Sequence, residues 1–283
     1  MPSTPVASAV SAPDVVTPVL RQRLLVAVIG LPIGVAAIIL GGYYLFGLAL
    51  LLSLLGLHEY YTLLRSYRPN LLVGYFAGVA VLVGAFFLGL VGLPAGLAAL
   101  TIFTFFWSLF GELGAHLVGR MAMTGFGVLW IPVGFAYVLL LRALEHGMAL
   151  TIMLFACTIV SDTFAYFVGR AVGRHKMAPR ISPKKSIEGA VGGLIGAVVA
   201  ALVVRIYSPW MPTSDAIILG LIIGLVGQWG DLFESAFKRD FRVKDSGRLL
   251  PGHGGILDRF DSLLFASIAA YWGVIVLLGD LVQ

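Results

Sequence analysis

The sequence predicts an all-α membrane protein, a polytopic bundle of about nine transmembrane helices with its N-terminus in the cytoplasm. Hydrophobic residues make up 59% of the chain and charged residues only 12%, whereas about a quarter of the residues of a soluble domain are charged. Uncharged apolar runs recur at roughly the 20-residue length that spans a bilayer. The basic residues collect in alternate loops, as the positive-inside rule requires.

The N-terminal region divides into a tail and two helices. Residues 1–20 carry several Pro, Ser and Ala and no helical apolar stripe, so we expect a disordered tail there. Arg21 and Arg23 precede an apolar run in the manner of a signal peptide, but without a small-residue cleavage site, which favours an uncleaved helix. Gly41 and Gly42 then predict a turn between two short helices.

Seven further apolar runs complete the expected set of helices. The nine predicted ranges are 24–40, 44–57, 71–91, 95–111, 125–142, 148–169, 189–207, 216–237 and 260–279. If these helices alternate from a cytoplasmic N-terminus, only Arg142 and Arg205 of the 19 basic residues lie on the far side. A wrong helix count would scatter Lys and Arg over both faces, so the count and the orientation support each other.

Small residues spaced four apart recur within these helices and predict close helix packing inside the chain, with dimerisation as the weaker alternative. The pairs are Gly30/Gly34, Gly74/Gly78, Gly192/Gly196 and Gly220/Gly224.

Four aspartates lie in or beside the apolar runs, where ionisable groups are costly unless paired or hydrated. They are Asp162, Asp231, Asp258 and Asp261. Asp162 alone could make a helix–helix hydrogen bond, and an aspartate at a helix start could balance the helix dipole. Asp258 and Asp261 are three apart, on one helical face, with Arg259 between them. The pair therefore favours a metal and phosphate site.

Two charged loops, residues 169–189 and 238–255, provide the other groups that phosphate needs. The enrichment of Lys and Arg in cytoplasmic loops explains about half of the basic residues in these two loops. It does not explain Pro183 before Lys-Lys-Ser, or the glycines around His253, which indicate loops that approach a ligand closely. Lys and Arg donors, glycine-rich amides and carboxylate-bound Mg²⁺ together suit phosphoryl or nucleotidyl transfer.

Other active-site motifs are absent from the sequence. His58 and Glu59 begin a zinc-protease pattern, but Thr62 stands where its second His is required. There is no Walker A pattern, no dinucleotide fingerprint and no nucleophile elbow. Cys157 has no partner for a disulfide and is expected to be a small buried residue.

Residues 235–261 resemble the C-terminal signature of the phosphatidate cytidylyltransferases, the CDP-diacylglycerol synthases. The matching positions are Ser235, Lys238, Arg239, Lys244, Asp245, Gly247, His253, Gly254, Gly255, Asp258, Arg259 and Asp261. A second block is similar in Asp162, Tyr166, Gly169, Arg170, Lys176, Pro179 and residues 182–186. The N-terminal 140 residues match the family only as hydrophobic helices.

The resemblance implies a reaction of CTP with phosphatidic acid that gives CDP-diacylglycerol and pyrophosphate. It implies Mg²⁺, with a second cation left open, and an integral protein of the cell (inner) membrane whose site faces the cytoplasm. Membrane lipids are expected partners, a homodimer is implied, and nucleic acid is not expected.

The site roles are a hypothesis that rests on carboxylates at one membrane depth, two of them at a paired spacing, and on the basic residues of the two loops. We assign Asp231, Asp258 and Asp261 to catalysis and metal coordination, with Lys244 in catalysis and Asp245 as a further ligand or as the group that orients Lys244. The expected phosphate contacts are Lys184, Lys185, Ser186, Ser235, Lys238, Arg239, His253 and Arg259. Residues 148–283 would then hold the catalytic region, and residues 21–147 a scaffold that gives access to lipid.

Two other functions could also use aspartates in membrane helices. A CDP-alcohol phosphotransferase also uses membrane aspartates and Mg²⁺, but its arrangement of Asp-Gly, Ala-Arg and two distant aspartates is missing here. A transporter could use Asp162 and Asp231 as ion sites. It is disfavoured because no internal repeat is visible and the charge lies in loops.

Overall fold

The structure is a computed structural model that describes residues 16–110, 117–247, 249 and 254–282. Nine α-helices lie within those ranges, and each overlaps one predicted segment, which confirms the all-α polytopic class. They are α1 (Val16–Leu40), α2 (Gly42–Leu63), α3 (Leu71–Leu88), α4 (Gly92–Phe110), α5 (Leu117–Ala143), α6 (Gly147–Val172), α7 (Ile187–Ile206), α8 (Thr213–Asp240) and α9 (Leu257–Val282).

The first helix begins earlier than predicted. Residues 16–20, which we expected in the tail, form the first turns of α1, and residues 1–15 of the predicted tail lie outside the described residues. Pro18 does not prevent this, because the first N–H groups of a helix have no intrahelical acceptor to lose. The predicted turn is confirmed: α1 ends at Leu40, Gly41 (φ 62°) separates the two helices, and α2 begins at Gly42 (φ 48°).

Seven stretches of the described chain are long and apolar enough to cross a membrane. Leu71–Trp107, which includes both α3 and α4, counts as one of these seven. Val28–Leu40 is apolar but too short to be counted among them. Nine crossings therefore stay a prediction.

The long stretch is nevertheless folded back on itself. Gly89 (φ 64°) ends α3, and α4 returns antiparallel to it. A Cβ at Gly92 would overlap the carbonyl oxygen of Gly84, and one at Gly96 would overlap the backbone of Val81. Only glycine permits this backbone approach, so α3 and α4 form a tight hairpin of two helices.

Three of the four predicted glycine pairs pack inside the chain. Gly74 lies against Tyr61, Gly192 against Val168 and Gly224 against Ala197, with the other member of each pair also in contact. A Cβ at Gly30 or Gly34 would meet nothing within 4 Å. Close packing within the chain is therefore confirmed for all pairs except the one on α1.

Successive helices alternate in direction, so that the charged segments lie at one end of the bundle. We call this end the site face. The C-terminal part of α2 meets the start of α5 there, where Tyr61 donates from its hydroxyl to the Thr124 carbonyl at 3.0 Å. The start of α3 joins them, as the Asn70 N–H donates to Thr124 Oγ1 at 2.8 Å.

The two arginines assigned to the far side lie at the other end of the bundle. Arg142 Nε donates to the Ile38 carbonyl at 2.8 Å, and Arg205 Nε donates to the Met211 carbonyl at 3.2 Å. Each guanidinium therefore satisfies a carbonyl at or just beyond a helix end. This supports the predicted alternation of the helices, while the leaflet that the site face meets stays a prediction.

A short hairpin interrupts the helices at the site face. Strands β1 (Lys176–Ala178) and β2 (Ser182–Ser186) pair antiparallel. The Glu188 carboxylate stabilises the base of the hairpin, because it accepts from the Arg174 N–H at 3.1 Å and lies 2.6 Å from His175 Nδ1. The sequence predicted a shaped loop here, but not strands.

Candidate active site

The two charged loops predicted from the sequence meet at the site face. Lys185, on β2, places its Nζ 2.7 Å from Asp231 Oδ2 on α8. Arg239, at the end of α8, donates from Nε to the Ile181 carbonyl in the hairpin at 3.2 Å and from Nη1 to the Val243 carbonyl at 3.3 Å. The hairpin and the loop after α8 therefore form one surface.

Four carboxylates lie close together at the site face, and we call them the acidic cluster: Asp162, Asp231, Glu234 and Asp261. Asp261 is close enough to the other three to be repelled by each. Asp162 is repelled by Asp231 and attracted by Lys185. Helices α6, α8 and α9 thus bring together three of the four predicted aspartates, and Glu234 joins them because it lies one helical turn after Asp231.

Lys238 holds the remaining aspartate. Its Nζ lies 2.5 Å from Glu234 Oε2 and 2.6 Å from Asp258 Oδ1. The exposed fractions of these side chains are 13% for Lys238, 1% for Glu234 and 7% for Asp258, so little water reaches the contacts. This ammonium group joins the end of α8 to the first turn of α9.

Protein donors already occupy both oxygens of Asp258. Oδ1 accepts from Lys238, while Oδ2 accepts from the N–H groups of Ser246 and Gly255, both at 2.8 Å. Gly254 adopts a φ of 85° in the turn just before this contact, a conformation that favours glycine. Asp258 therefore anchors the loop that leads into α9, whereas Asp231 and Asp261 have fewer protein donors.

The acidic cluster does not form a closed metal cage. Among the described residues, no three Asp, Glu, His or Cys side chains are arranged to hold an ion as they stand. The donor chemistry nonetheless fits Mg²⁺, which binds one or two carboxylates and completes its shell with water and substrate phosphates. Lys185 pairs with Asp231, and Lys238 pairs with Glu234 and Asp258, while buried Glu234 Oε1 makes no hydrogen bond.

Four other residues of the predicted site, three basic and one acidic, are exposed. Lys184 on β2, Lys244 and Asp245 after α8 and Arg259 on α9 have exposed side chains at the site face. Their exposure leaves them accessible to a soluble ligand.

Two predicted serines have local roles. Ser186 Oγ accepts from the Gly189 N–H at 3.1 Å, which makes Ser186 the N-cap of α7, and Ser235 Oγ donates weakly to Asp231 Oδ1 at 3.4 Å. His253 lies outside the described residues.

Sequence reasoning missed two buried carboxylates. The predicted site contains neither Glu59, which appears only in a failed zinc motif, nor Glu234. Their exposed fractions are 3% and 1%. The rule that an ionisable residue inside an apolar helix is a functional candidate applies to both and would have found them.

Comparisons with known proteins agree with these features. A family model described as the cytidylyltransferase family matches residues 21–277. A phosphatidate cytidylyltransferase of Staphylococcus epidermidis is 33% identical over 263 residues, which cover 87% of this chain and 95% of the relative. One from Synechocystis is 34% identical over 294 residues (91% and 97%), and one from Staphylococcus aureus is 36% identical over 259 residues (87% and 95%).

Proposed function

The chain belongs to the cytidylyltransferase family, and from that membership we propose that it transfers the cytidylyl group of CTP to phosphatidic acid, releasing CDP-diacylglycerol and pyrophosphate. The observation that carries this proposal is the junction of Lys185 with Asp231 at 2.7 Å. It supports a single site in which a cation for phosphate comes from the β-hairpin and a carboxylate for a metal comes from α8.

The chemical problem in this reaction is repulsion between two anions. A phosphate monoester has a second pKa of about 6, so the lipid phosphate is largely dianionic near pH 7 and needs no general base. Its oxygen would attack the α-phosphorus of CTP in line, forming the new P–O bond as the bond to pyrophosphate breaks. Preorganised cations that offset the growing charge are therefore the main catalytic requirement.

The lysines and Arg239 provide that charge in this proposal. Lys185 and Lys238 already lie among carboxylates, so each can move a short distance onto a phosphate oxygen without crossing the site. Lys184, Arg239 and Lys244 are exposed around them and would hold the outer phosphates. Arg259 and His253 would complete the set.

We propose that Asp231 and Asp261 hold Mg²⁺, which when bound would neutralise phosphate charge and make the α-phosphorus more electrophilic. Asp258 would act chiefly through the loop that it anchors, and its Oδ1 becomes available as a ligand when Lys238 moves to phosphate. Asp245 is the further candidate ligand, and the surplus of carboxylates leaves space for a second cation.

The same proposal places the site face in the cytoplasm, where CTP is present and where the positive-inside rule puts the basic loops. The lipid phosphate would enter from the adjoining leaflet of the cell membrane, between helices. A homodimer remains part of the proposal.

The test supplies purified protein in detergent with phosphatidic acid, CTP and Mg²⁺ and measures lipid-linked cytidine and free pyrophosphate. The proposal expects the two products in equal amounts and none without phosphatidic acid. Reconstitution of the same preparation in liposomes tests the rival function, which is ion-coupled transport. Ion-gradient-driven uptake without CTP turnover would show that the protein is a transporter and not a cytidylyltransferase.

A further inference from the structure

A carboxylate from the N-terminal half of the chain lies inside the loop that leads into α9. Glu59, near the end of α2, is 3% exposed. Its Oε1 accepts from the Ile256 N–H at 3.0 Å, and its Oε2 accepts from the Leu257 N–H at 3.0 Å and lies 3.2 Å from Ser246 Oγ. Three groups of the signature segment thus converge on one side chain.

The loop is shaped to admit this carboxylate. A Cβ at Gly247 would overlap Glu59 Oε1, and a Cβ at Gly255 would overlap both Ser246 Oγ and Glu59 Oε2. Neither glycine has a positive φ, so backbone conformation does not require them. Glu59 is therefore the physical reason for glycine at position 247, and Glu59 together with Ser246 is the reason at position 255.

The start of α9 compensates the buried charge. Ile256 and Leu257 present the first N–H groups of a 26-residue helix, which otherwise have no acceptor. The positive end of the helix dipole and these two donors stabilise an anion at this position. Glu59 thereby fixes the place and the angle at which α9 begins.

This contact continues into the catalytic groups. Ser246 Oγ lies 3.0 Å from Asp258 Oδ2 as well as 3.2 Å from Glu59 Oε2, and Asp258 in turn holds Lys238. We propose that Glu59 is a positioning residue for the transfer reaction: it holds the first turn of α9, and with it Asp258 and Asp261, in their working places. The role of Glu59 in the reaction rests on the proposed function, whereas the contacts of Glu59 with Ser246, Ile256 and Leu257 do not depend on it.

The experiment compares Glu59→Gln with Glu145→Gln, the same change of charge at an exposed turn on the opposite end of the bundle. A glutamine has only one acceptor oxygen, whereas Glu59 offers one oxygen to each of two backbone N–H groups. We expect Glu59→Gln to lower kcat by roughly 10- to 100-fold while KM for CTP changes by less than about threefold, since misplaced groups slow the step more than they weaken binding. Glu145→Gln should leave both unchanged.

Deuterium exchange tests the contact without any need for turnover. Glu59→Gln should speed exchange at the amides of residues 246, 256 and 257 and leave α6 and α7 protected. Equal loosening of the whole bundle, or unchanged local exchange, would overturn the positioning role. Local loosening with full activity would overturn it too, while absent turnover in the unmodified protein would reject the proposed reaction alone.

A second pair of variants shows whether a loss of activity comes from the Glu59 contact or from general misfolding. Gly247→Ala should lower kcat in the unmodified chain because its Cβ displaces Glu59. It should add little further loss on a Glu59→Ala background, where the overlap no longer exists. Independent, additive losses would contradict the proposal.

Discussion

Lys185 Nζ lies 2.7 Å from Asp231 Oδ2, and this contact joins the hairpin between α6 and α7 to the end of α8. The first charged loop thereby pairs one of its cations with a carboxylate of α8, the helix that leads into the second charged loop. Any phosphate that draws Lys185 away exposes Asp231 to a metal, so binding of the two ligands is expected to be cooperative.

Lys185→Met should lower turnover by about 100-fold or more, because it removes a preorganised cation from beside the acidic cluster. Initial rates of CDP-diacylglycerol formation measure the effect. Arg180→Met is the matched control, since it removes one positive charge from an exposed position in the same hairpin. Equal losses in the two variants would show that only the overall charge of the hairpin matters.

Lys238→Met should destabilise the protein by about 3 kcal/mol or more, because two largely buried carboxylates lose their shared partner. Thermal unfolding in detergent measures the change. Adding Glu234→Gln should restore part of the stability by removing one of the charges, but not the turnover. If Lys238→Met melted like the unmodified protein, the ion-pair arrangement described here would be wrong.

Gly92→Ala should destabilise the α3–α4 hairpin by about 1–3 kcal/mol, because the new methyl group overlaps the Gly84 carbonyl. The control is Gly125→Ala on α5, where the nearest atom would be Leu100 Cδ2 at 3.8 Å. That change should be neutral or slightly stabilising, since alanine favours a helix. Comparison of the melting temperatures decides, and an unaffected Gly92→Ala protein would contradict the hairpin.

Thiol labelling tests which way the site face points. Cys157 is fully buried, so a Cys157→Ala background carrying one new cysteine gives a clean signal. An impermeant maleimide should label Lys184→Cys only in inverted vesicles and Glu145→Cys only in right-side-out ones. The reverse pattern would place the N-terminus and both basic loops outside the cytoplasm.

The helical segments could be predicted because they depend on local features. Apolar run length locates each helix, and the distribution of Lys and Arg between the two ends of the bundle orders them, although α1 and α5 begin earlier and α2 ends later than predicted. The family was predicted correctly from two motif blocks in the C-terminal half. The positions that meet at Lys185 and Asp231 were also expected to act together, although not to touch.

The contacts made by the N-terminal half could not be predicted in the same way. Glu59 and Ile256 are 197 positions apart, and no local pattern shows that a carboxylate on α2 receives the first amides of α9. Asp258 was assigned to a metal on its spacing from Asp261. Its four hydrogen bonds depend on the fold of the loop around Ser246, which spacing does not report.

The central claim is cytidylyl transfer at the acidic cluster, and the fate of the two phosphate labels of CTP tests it most directly. Purified protein receives phosphatidic acid, Mg²⁺ and CTP labelled at either the α- or the γ-phosphorus. Asp231→Asn is the test variant, and Asp215→Asn, at the opposite end of α8, is its control. We predict α-label in lipid, γ-label only in pyrophosphate, and loss of both products in EDTA and in Asp231→Asn but not in Asp215→Asn. Label from the γ-phosphorus in lipid, or full activity of Asp231→Asn, would contradict the account.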